Sequence, residues 1–282
     1  MKKLLKAMFA AVLALGAVVQ IQAQVLETTP VDGLFPDNGL VEMEPVSYPP
    51  LRQADVMWQK TVWREIDFRQ KINQPFYFPT VPHNGWRSFM TIVMDALKEG
   101  AITAYDPIQV DELSVPMTYD EVVSNQIDTI HQVLTRPYPP YDEYDTIITT
   151  EFDNTKVQRL RLKEVWYFDK ARSVMDVRII AFCPVYMKER SGEEVTEPLF
   201  WVYFPESRPI MAKALCFNRK NGAQRRTYDE IFWKRMFSSY IYKVENVYDR
   251  RISEYATGVD ALLESERIKH EIMSFEFDLW EY

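Results

Sequence analysis

The chain has 282 residues, 41 of them acidic and 33 basic, for a formal net charge of −8. Nucleic acid is bound through a basic footprint, so this balance argues against a nucleic-acid binder and fits contact with a basic protein surface. Together Phe, Trp and Tyr number 39, ample material for the core of one large or two small domains.

At the start, Lys2, Lys3 and Lys6 precede an apolar run from Ala7 to Val19, and Ala23 offers a small residue just before Gln24. Basic, apolar, then small is the layout of a secretory signal over residues 1–23. The run is shorter than the roughly 20 apolar residues a helix needs to cross a bilayer. Removing it leaves 30 basic against 41 acidic residues, a net charge of −11. No Cys lies near the cut to take a lipid, and no later stretch is long and apolar enough to span. The expectation is an exported chain without a lipid or a membrane span.

Residues 24–54 carry Pro30, Pro36, Pro45, Pro49 and Pro50 and no apolar periodicity, so they read as an extended arm. The arm is either a linker or a segment that docks on a neighbouring subunit. A single globular domain is expected over residues 55–282.

That domain opens with a predicted helix from Asp55 to Ile72. Asp55 is its N-cap, and Lys60, Arg64, Asp67 and Lys71 form a polar face. Trp58, Val62, Trp63 and Ile66 spread over the other side, and Asn73 and Pro75 end it. A second helix is predicted over Trp86–Lys98, with Phe89, Val93, Ala96 and Leu97 inward and Gly100 past its end. Thr-Tyr-Asp-Glu occurs at Thr118–Glu121 and again at Thr227–Glu230. Thr followed three residues later by Glu is a capping box, so both read as helix starts.

Residues 145–218 read as strands. Leu160, Leu162, Trp166 and Phe168 alternate with Arg159, Arg161 and Lys163. A turn at Asp169–Arg172 leads into a return strand from Val174 to Met187. A polar loop over Lys188–Glu197, a strand over Leu199–Phe204, a turn at Pro205–Pro209 and a strand over Ile210–Phe217 follow. Beyond them a helix is predicted from Thr227 to Tyr240. Ile268, Ile272, Phe275 and Leu279 then continue a helical stripe, although Phe275–Leu279 also alternates as a strand would. An antiparallel sheet flanked by N- and C-terminal helices is an α+β fold.

Cys183 and Cys216 are the only cysteines, and export permits a disulfide. In a simple meander, however, Cys183 lies near Val202 and Cys216 near Glu197, while bridged Cα atoms must approach within about 7 Å. Two separately buried thiols are expected.

None of His83, His131 and His270 sits at metal-ligand spacing with another His or Cys. His270 reads as a surface residue and His83 as part of a Pro82–Gly85 turn. Neither a nucleophile elbow, a phosphate-cradling glycine loop nor an EF-hand appears. No catalytic, cofactor or metal residue is assigned. Asp142, Glu143 and Asp145 read as a solvated loop. Carboxylates are numerous, and Trp86, Trp166, Trp201 and Trp233 could line a sugar groove, so a carbohydrate-active enzyme or glycan binder is one alternative function. A chaperone for secreted cargo is another.

Longer strings carry more. Asp55-Val56-Met57-Trp58, Lys60, Val62-Trp63-Arg64 and Ile66-Asp67 run on through Arg69, Lys71-Ile72-Asn73 and Pro75. Lys163-Glu164, Trp166, Phe168-Asp169-Lys170, Arg178-Ile179-Ile180 and Pro184 continue the pattern. So do Phe237–Ile241, Asn246–Ile252 and Asp278–Tyr282. Together they resemble the GldN/PorN family of Bacteroidetes gliding and type IX secretion proteins, from about Asp55 to the end. The resemblance implies a non-enzymatic periplasmic subunit. It implies a GldK/PorK-type outer-membrane lipoprotein as partner, the two building a ring that contacts a GldM/PorM-type inner-membrane motor protein. No catalytic residues carry over.

Overall fold

The computed structural model describes residues 43–278, apart from residues 84, 109–112, 127–128, 136–137, 139–142, 150–151, 191–192, 220 and 222–223. The signal segment, most of the arm, Asn84, Asp142 and the closing residues 279–282 therefore lie outside the described residues. No helix among the described residues is long and apolar enough to cross a membrane.

Val56–Asp67 is strand β1, not a helix. Its sequence is rich in Val, Thr, Trp and Ile, residues that fit a pleated sheet. The four-residue spacing of Lys60, Arg64 and Asp67 imitates a helical face, yet Lys60, Val62, Arg64 and Ile66 share one side of the strand. The alternation is hidden because Trp63, Arg64 and Glu65 are all buried. A buried cation on the even-numbered side and a buried tryptophan on the odd-numbered side erase the simple apolar–polar signal.

The next elements are helix α1 (Gln74–Tyr77), helix α2 (Phe89–Lys98), strands β2 (Ala104–Tyr105) and β3 (Pro116–Met117) and helix α3 (Tyr119–Ser124). Strands β4 (Thr129–Thr135) and β5 (Glu143–Thr149) form a separate hairpin, so Glu143 and Asp145 lie in a strand rather than the expected loop. Strands β6 (Val157–Asp169) and β7 (Val174–Arg190) follow, then β8 (Glu193–Pro198) and β9 (Trp201–Tyr203). The main sheet runs β12-β1-β6-β7-β9-β2-β3, with β8 on β7 and β12 spanning Tyr240–Val244; its pairings are antiparallel. The fold is α+β, as expected.

Further boundaries differ from expectation: helix α2 begins at Phe89 rather than Trp86, which instead forms a β-bridge with His83. The polar loop after Met187 is mostly strand, since β7 continues to Arg190 and pairs with β8. Phe204–Lys213 is helix α4 rather than a turn and a strand. Its first proline is harmless, because an N–H in the first turn has no helical acceptor anyway; only Pro209 forgoes a bond. Strand β10 (Leu215–Cys216) is then a short pairing with β11 (Arg226–Thr227). Helix α5 (Tyr228–Trp233) ends seven residues before Tyr240. Its end is a Schellman turn, with Arg235 N–H donating to Phe232 O and Met236 N–H to Ile231 O, and Arg235 at φ 51°. The C-terminal helix α6 (Val259–Asp278) is helical through Asp278.

Both capping boxes form. Thr118 Oγ1 accepts from the Glu121 N–H and Thr227 Oγ1 from the Glu230 N–H, and each glutamate accepts the threonine's own N–H. Helix α2 is capped by Ser88, and Gly100 at φ 71° closes it.

One face of the sheet, with Ile66, Leu160, Leu162, Phe182 and Val202, packs with residues of α2, α4 and α5 in the largest core cluster. Its centre is aromatic: the Phe76 ring meets Phe89, Tyr228 and Phe232 at 5.7, 5.9 and 5.3 Å. A second cluster lies under α6, where Val62, Ile241 and Val244 meet Ile252, Ile268 and Ile272. Alternate residues, Trp63, Ala181, Cys183 and Trp201, form a third. Cys183 and Cys216 are both free and buried, in different clusters. Cys216 pairs with Arg226 rather than lying near Glu197, because α4 displaces the strand that a meander would supply.

Candidate interaction surface

Asn73, fully buried, organises one end of the domain. Its Nδ2 donates to the carbonyls of Asp67 and Ser238 at 2.8 Å each, and its Oδ1 accepts the Ser238 N–H at 2.9 Å. This clamp ties the end of β1 to the segment leading into β12 and places α1 beside β10. The Tyr228 hydroxyl lies 3.0 Å from both the Pro75 and Arg87 carbonyls, fixing α1 from beneath.

Between these elements lies an open groove of about 680 Å³. Ile72, Phe78 and Phe217 line it and are each about half exposed. Lys71, Arg219 and Arg226 stand at it, and among the described residues no carboxylate lines it. Among the described residues neither Lys71 nor Arg219 is paired with an acid. In a chain of net charge −8, an apolar floor with three cations is a local inversion. Such a surface suits an apolar partner segment carrying acids.

A second surface feature involves the end of the arm. Residues 43–52 have no regular structure, yet they are pinned to the chain's own domain. The Tyr48 ring lies 4.4 Å from the Arg208 guanidinium carbon, 5.1 Å from that of Arg178 and 5.4 Å from the Trp233 ring. Arg208 Nη2 donates to the Val46 carbonyl and Arg178 Nη2 to that of Pro49, both at 2.7 Å. Burial pushes the Tyr48 hydroxyl above its ordinary pKa.

Deeper, charges are used structurally. Glu164 is fully buried and accepts from Arg235 Nη2 at 2.9 and 3.1 Å and from Trp166 Nε1 at 3.3 Å. Arg64 Nε lies 3.1 Å from Glu164 Oε2 but off the line of a hydrogen bond, so that contact is ionic. Burial pushes the Arg64 guanidinium below its usual pKa. Glu65, on the opposite side of β1, is held by Arg159, Arg161 and the Tyr240 hydroxyl.

A cleft of about 670 Å³ between β1 and α6 combines aromatic and acidic residues. Trp58 stacks on Phe275 at 4.8 Å, and Glu245 and Glu271 line it. Lys60 Nζ, 3.0 Å away, holds the Glu271 carboxyl below the usual range. A group kept ionised in this way is unsuited to the general-acid role of a glycosidase pair. The four tryptophans expected at a sugar groove are dispersed. Trp201 is buried in the third cluster, Trp166 packs against the second, Trp233 meets Tyr48 and Trp86 meets Phe217.

His83 sits in a turn, its Nδ1 3.2 Å from the Val81 carbonyl; His270 is exposed on α6; and the backbone of His131 lies in β4. Among the described residues no cluster of three His, Cys, Asp or Glu could hold a metal ion. The groove is hidden in the sequence because Ile72 and Phe217 fall at the ends of predicted elements. The available signal was apolar residues beside bases, Lys71-Ile72 and Phe217-Asn218-Arg219.

No curated protein matches the chain. The family described as "Gliding motility associated protein GldN" matches residues 51–281, from just before β1 through α6 and on to the penultimate residue. The matched span covers the sheet, the groove and the ion-paired interior, so the chain belongs to the GldN family, a structural family of the gliding motility and type IX secretion machinery.

Proposed function

We propose that this chain is a non-enzymatic structural subunit of that machinery, working in the periplasm. It is exported by cleavage after Ala23 and held at the outer membrane by a GldK/PorK-type lipoprotein, with which it builds a ring. The ring in turn contacts a GldM/PorM-type motor protein of the inner membrane. The observation that carries this reading is the family match across residues 51–281. The surfaces described above support it. Repeated assembly needs exposed apolar anchors with charged surrounds, and the groove at Ile72, Phe78 and Phe217 provides one.

The test is fractionation of cells carrying a tagged copy. Recovery with the outer membrane, release by detergent together with a lipoprotein, and a mature N-terminus at Gln24 are expected. Recovery in the cytoplasm, or purification without any lipoprotein, would overturn the reading.

A further inference from the structure

Helix α6 has two apolar faces. Its inward side is satisfied: Ile268 and Ile272 are buried, Ser265 Oγ accepts the Ile241 N–H at 2.9 Å, and Phe275 stacks on Trp58. A helix packed on one face ordinarily presents polar residues on the other. Here Val259, Leu262, Leu263, Met273 and Phe277 are each between 44% and 70% exposed. At about 100° per residue, Val259, Leu263 and Phe277 fall within roughly 40° of one line along the helix, with Leu262 and Met273 beside them; between Leu263 and Met273 the same face carries Glu266, Lys269 and His270, so the apolar residues form a patch near each end of the stripe. That line lies opposite Ile268 and Ile272. A second apolar stripe on a preformed helix, turned away from its own core, is the signature of an interface.

One acid, Glu266, lies within the stripe, Asp260 and Asp278 stand at its edge, and Glu264 and Glu271 lie nearer the inward side. The helix carries Asp260, Glu264, Glu266, Glu271, Glu276 and Asp278 against Arg267 and Lys269. Arg267 is held by Glu264 and Glu271 at 2.6 and 3.2 Å, and Lys269 reaches Glu266 only at 3.5 Å. Glu266 thus stands in the middle of the stripe with only a 3.5 Å contact to Lys269 and a longer-range attraction to Arg64, and Asp260 has no ion pair among the described residues. The groove at the other surface offers the complement: three half-exposed apolar side chains, the cations Lys71, Arg219 and Arg226, and no carboxylate among the described residues. Stripe and groove share no residue.

We propose that copies of this chain associate head to tail, the outward stripe of α6 on one copy seated in the groove at Ile72, Phe78 and Phe217 of the next. The inference rests on the ring reading above and supplies it with a contact between neighbours. Because the two surfaces differ, the contact is heterologous and repeats, closing into a ring or extending.

The experiment uses the full mature chain with Phe78→Asp in the groove or Leu263→Asp in the stripe. Both positions are exposed, and circular dichroism confirms that each variant folds. Sedimentation velocity of the unaltered chain should show oligomers that grow with concentration. Each variant alone should be monomeric, with association weakened at least tenfold. Mixed in equal amounts, the two variants should form a one-to-one dimer and nothing larger, since one intact groove meets one intact stripe. Arg219→Glu should weaken association, and Glu266→Arg should restore it. A monomeric unaltered chain, variants that assemble normally, or a mixture that stays monomeric would each overturn the proposal. So would association lost on deleting residues 24–42 but kept in both variants, since the acidic arm would then be the occupant. Lipoprotein co-purification is read in the same preparations. If it persists while the stripe and groove variants assemble normally, the head-to-tail contact fails and the ring reading stands. If no lipoprotein is recovered at all, the ring reading itself fails.

Discussion

Arg208 links Asp229 and Tyr48, which belong to different parts of the chain. Its Nε and Nη2 donate to Asp229 at 2.8 and 3.1 Å, while its guanidinium carbon lies 4.4 Å from the Tyr48 ring. The pair with Asp229 joins α4 to α5 within the core; the contact with Tyr48 holds the end of the arm against that joint. Asp229→Asn leaves a buried guanidinium without its counter-charge, and a loss of about 3–5 kcal/mol of stability is expected in urea unfolding. Tyr48→Ala should cost about 1 kcal/mol and expose residues 43–50 to protease. The double variant should lose less than the sum, because both changes act through Arg208.

Glu164 poses a similar case at the sheet. Buried among Arg64, Arg235 and Trp166, it balances two guanidinium groups. Glu164→Gln should destabilise by about 3–5 kcal/mol through the uncompensated cations, read as a lower unfolding midpoint with unchanged slope. An unchanged midpoint would contradict this role.

Tyr228 and the cap before it give a graded pair. Tyr228→Phe removes the hydroxyl that lies between the Pro75 and Arg87 carbonyls, and a cost of about 1–3 kcal/mol is expected. Thr227→Ala removes the cap of α5 and should cost about 1 kcal/mol.

The thiols predict both reactivity and pH dependence. With both cysteines free and buried, a thiol reagent should find none in the native chain and two after denaturation without reductant; a disulfide would give none in either state. Burial raises the Cys216 thiol to about 12, against about 8.5 unfolded. A raised acid contributes stability that is complete below the unfolded value and is lost as pH climbs toward 12. Asp67 and Glu271 act in the opposite sense. Arg69 and Lys60 hold them below the carboxylate range, so their contribution is present above about pH 4 and fades as pH falls through the depressed values. Thermal melts should therefore decline on both the acid and the alkaline side.

Much of the fold was legible where local chemistry is self-contained. The two capping boxes, the body of the helix expected over Trp86–Lys98 and found over Phe89–Lys98, and the Asp169–Arg172 turn each depend on side chains within a few residues of one another. Strand β1 was not legible, because burying Arg64 and Trp63 on opposite faces depends on Glu164 and Lys243, 100 or more residues away. Helix α4 was hidden by two prolines that normally mark a turn. The groove is likewise a long-range product: Ile72, Phe78 and Phe217 meet only because Asn73 and Tyr228 fold distant segments together. The outward stripe of α6, by contrast, could have been read from spacing alone, had Leu262, Leu263, Met273 and Phe277 been set beside the inward Ile268 and Ile272.

The most direct test of the structural-subunit reading is the native mass and composition of the complex purified through a tag on this chain from detergent-solubilised envelopes. A large assembly holding many copies of the chain together with an outer-membrane lipoprotein in fixed ratio is expected. Recovery of the chain as a lone monomer, with no lipoprotein at any detergent or salt condition, would contradict it.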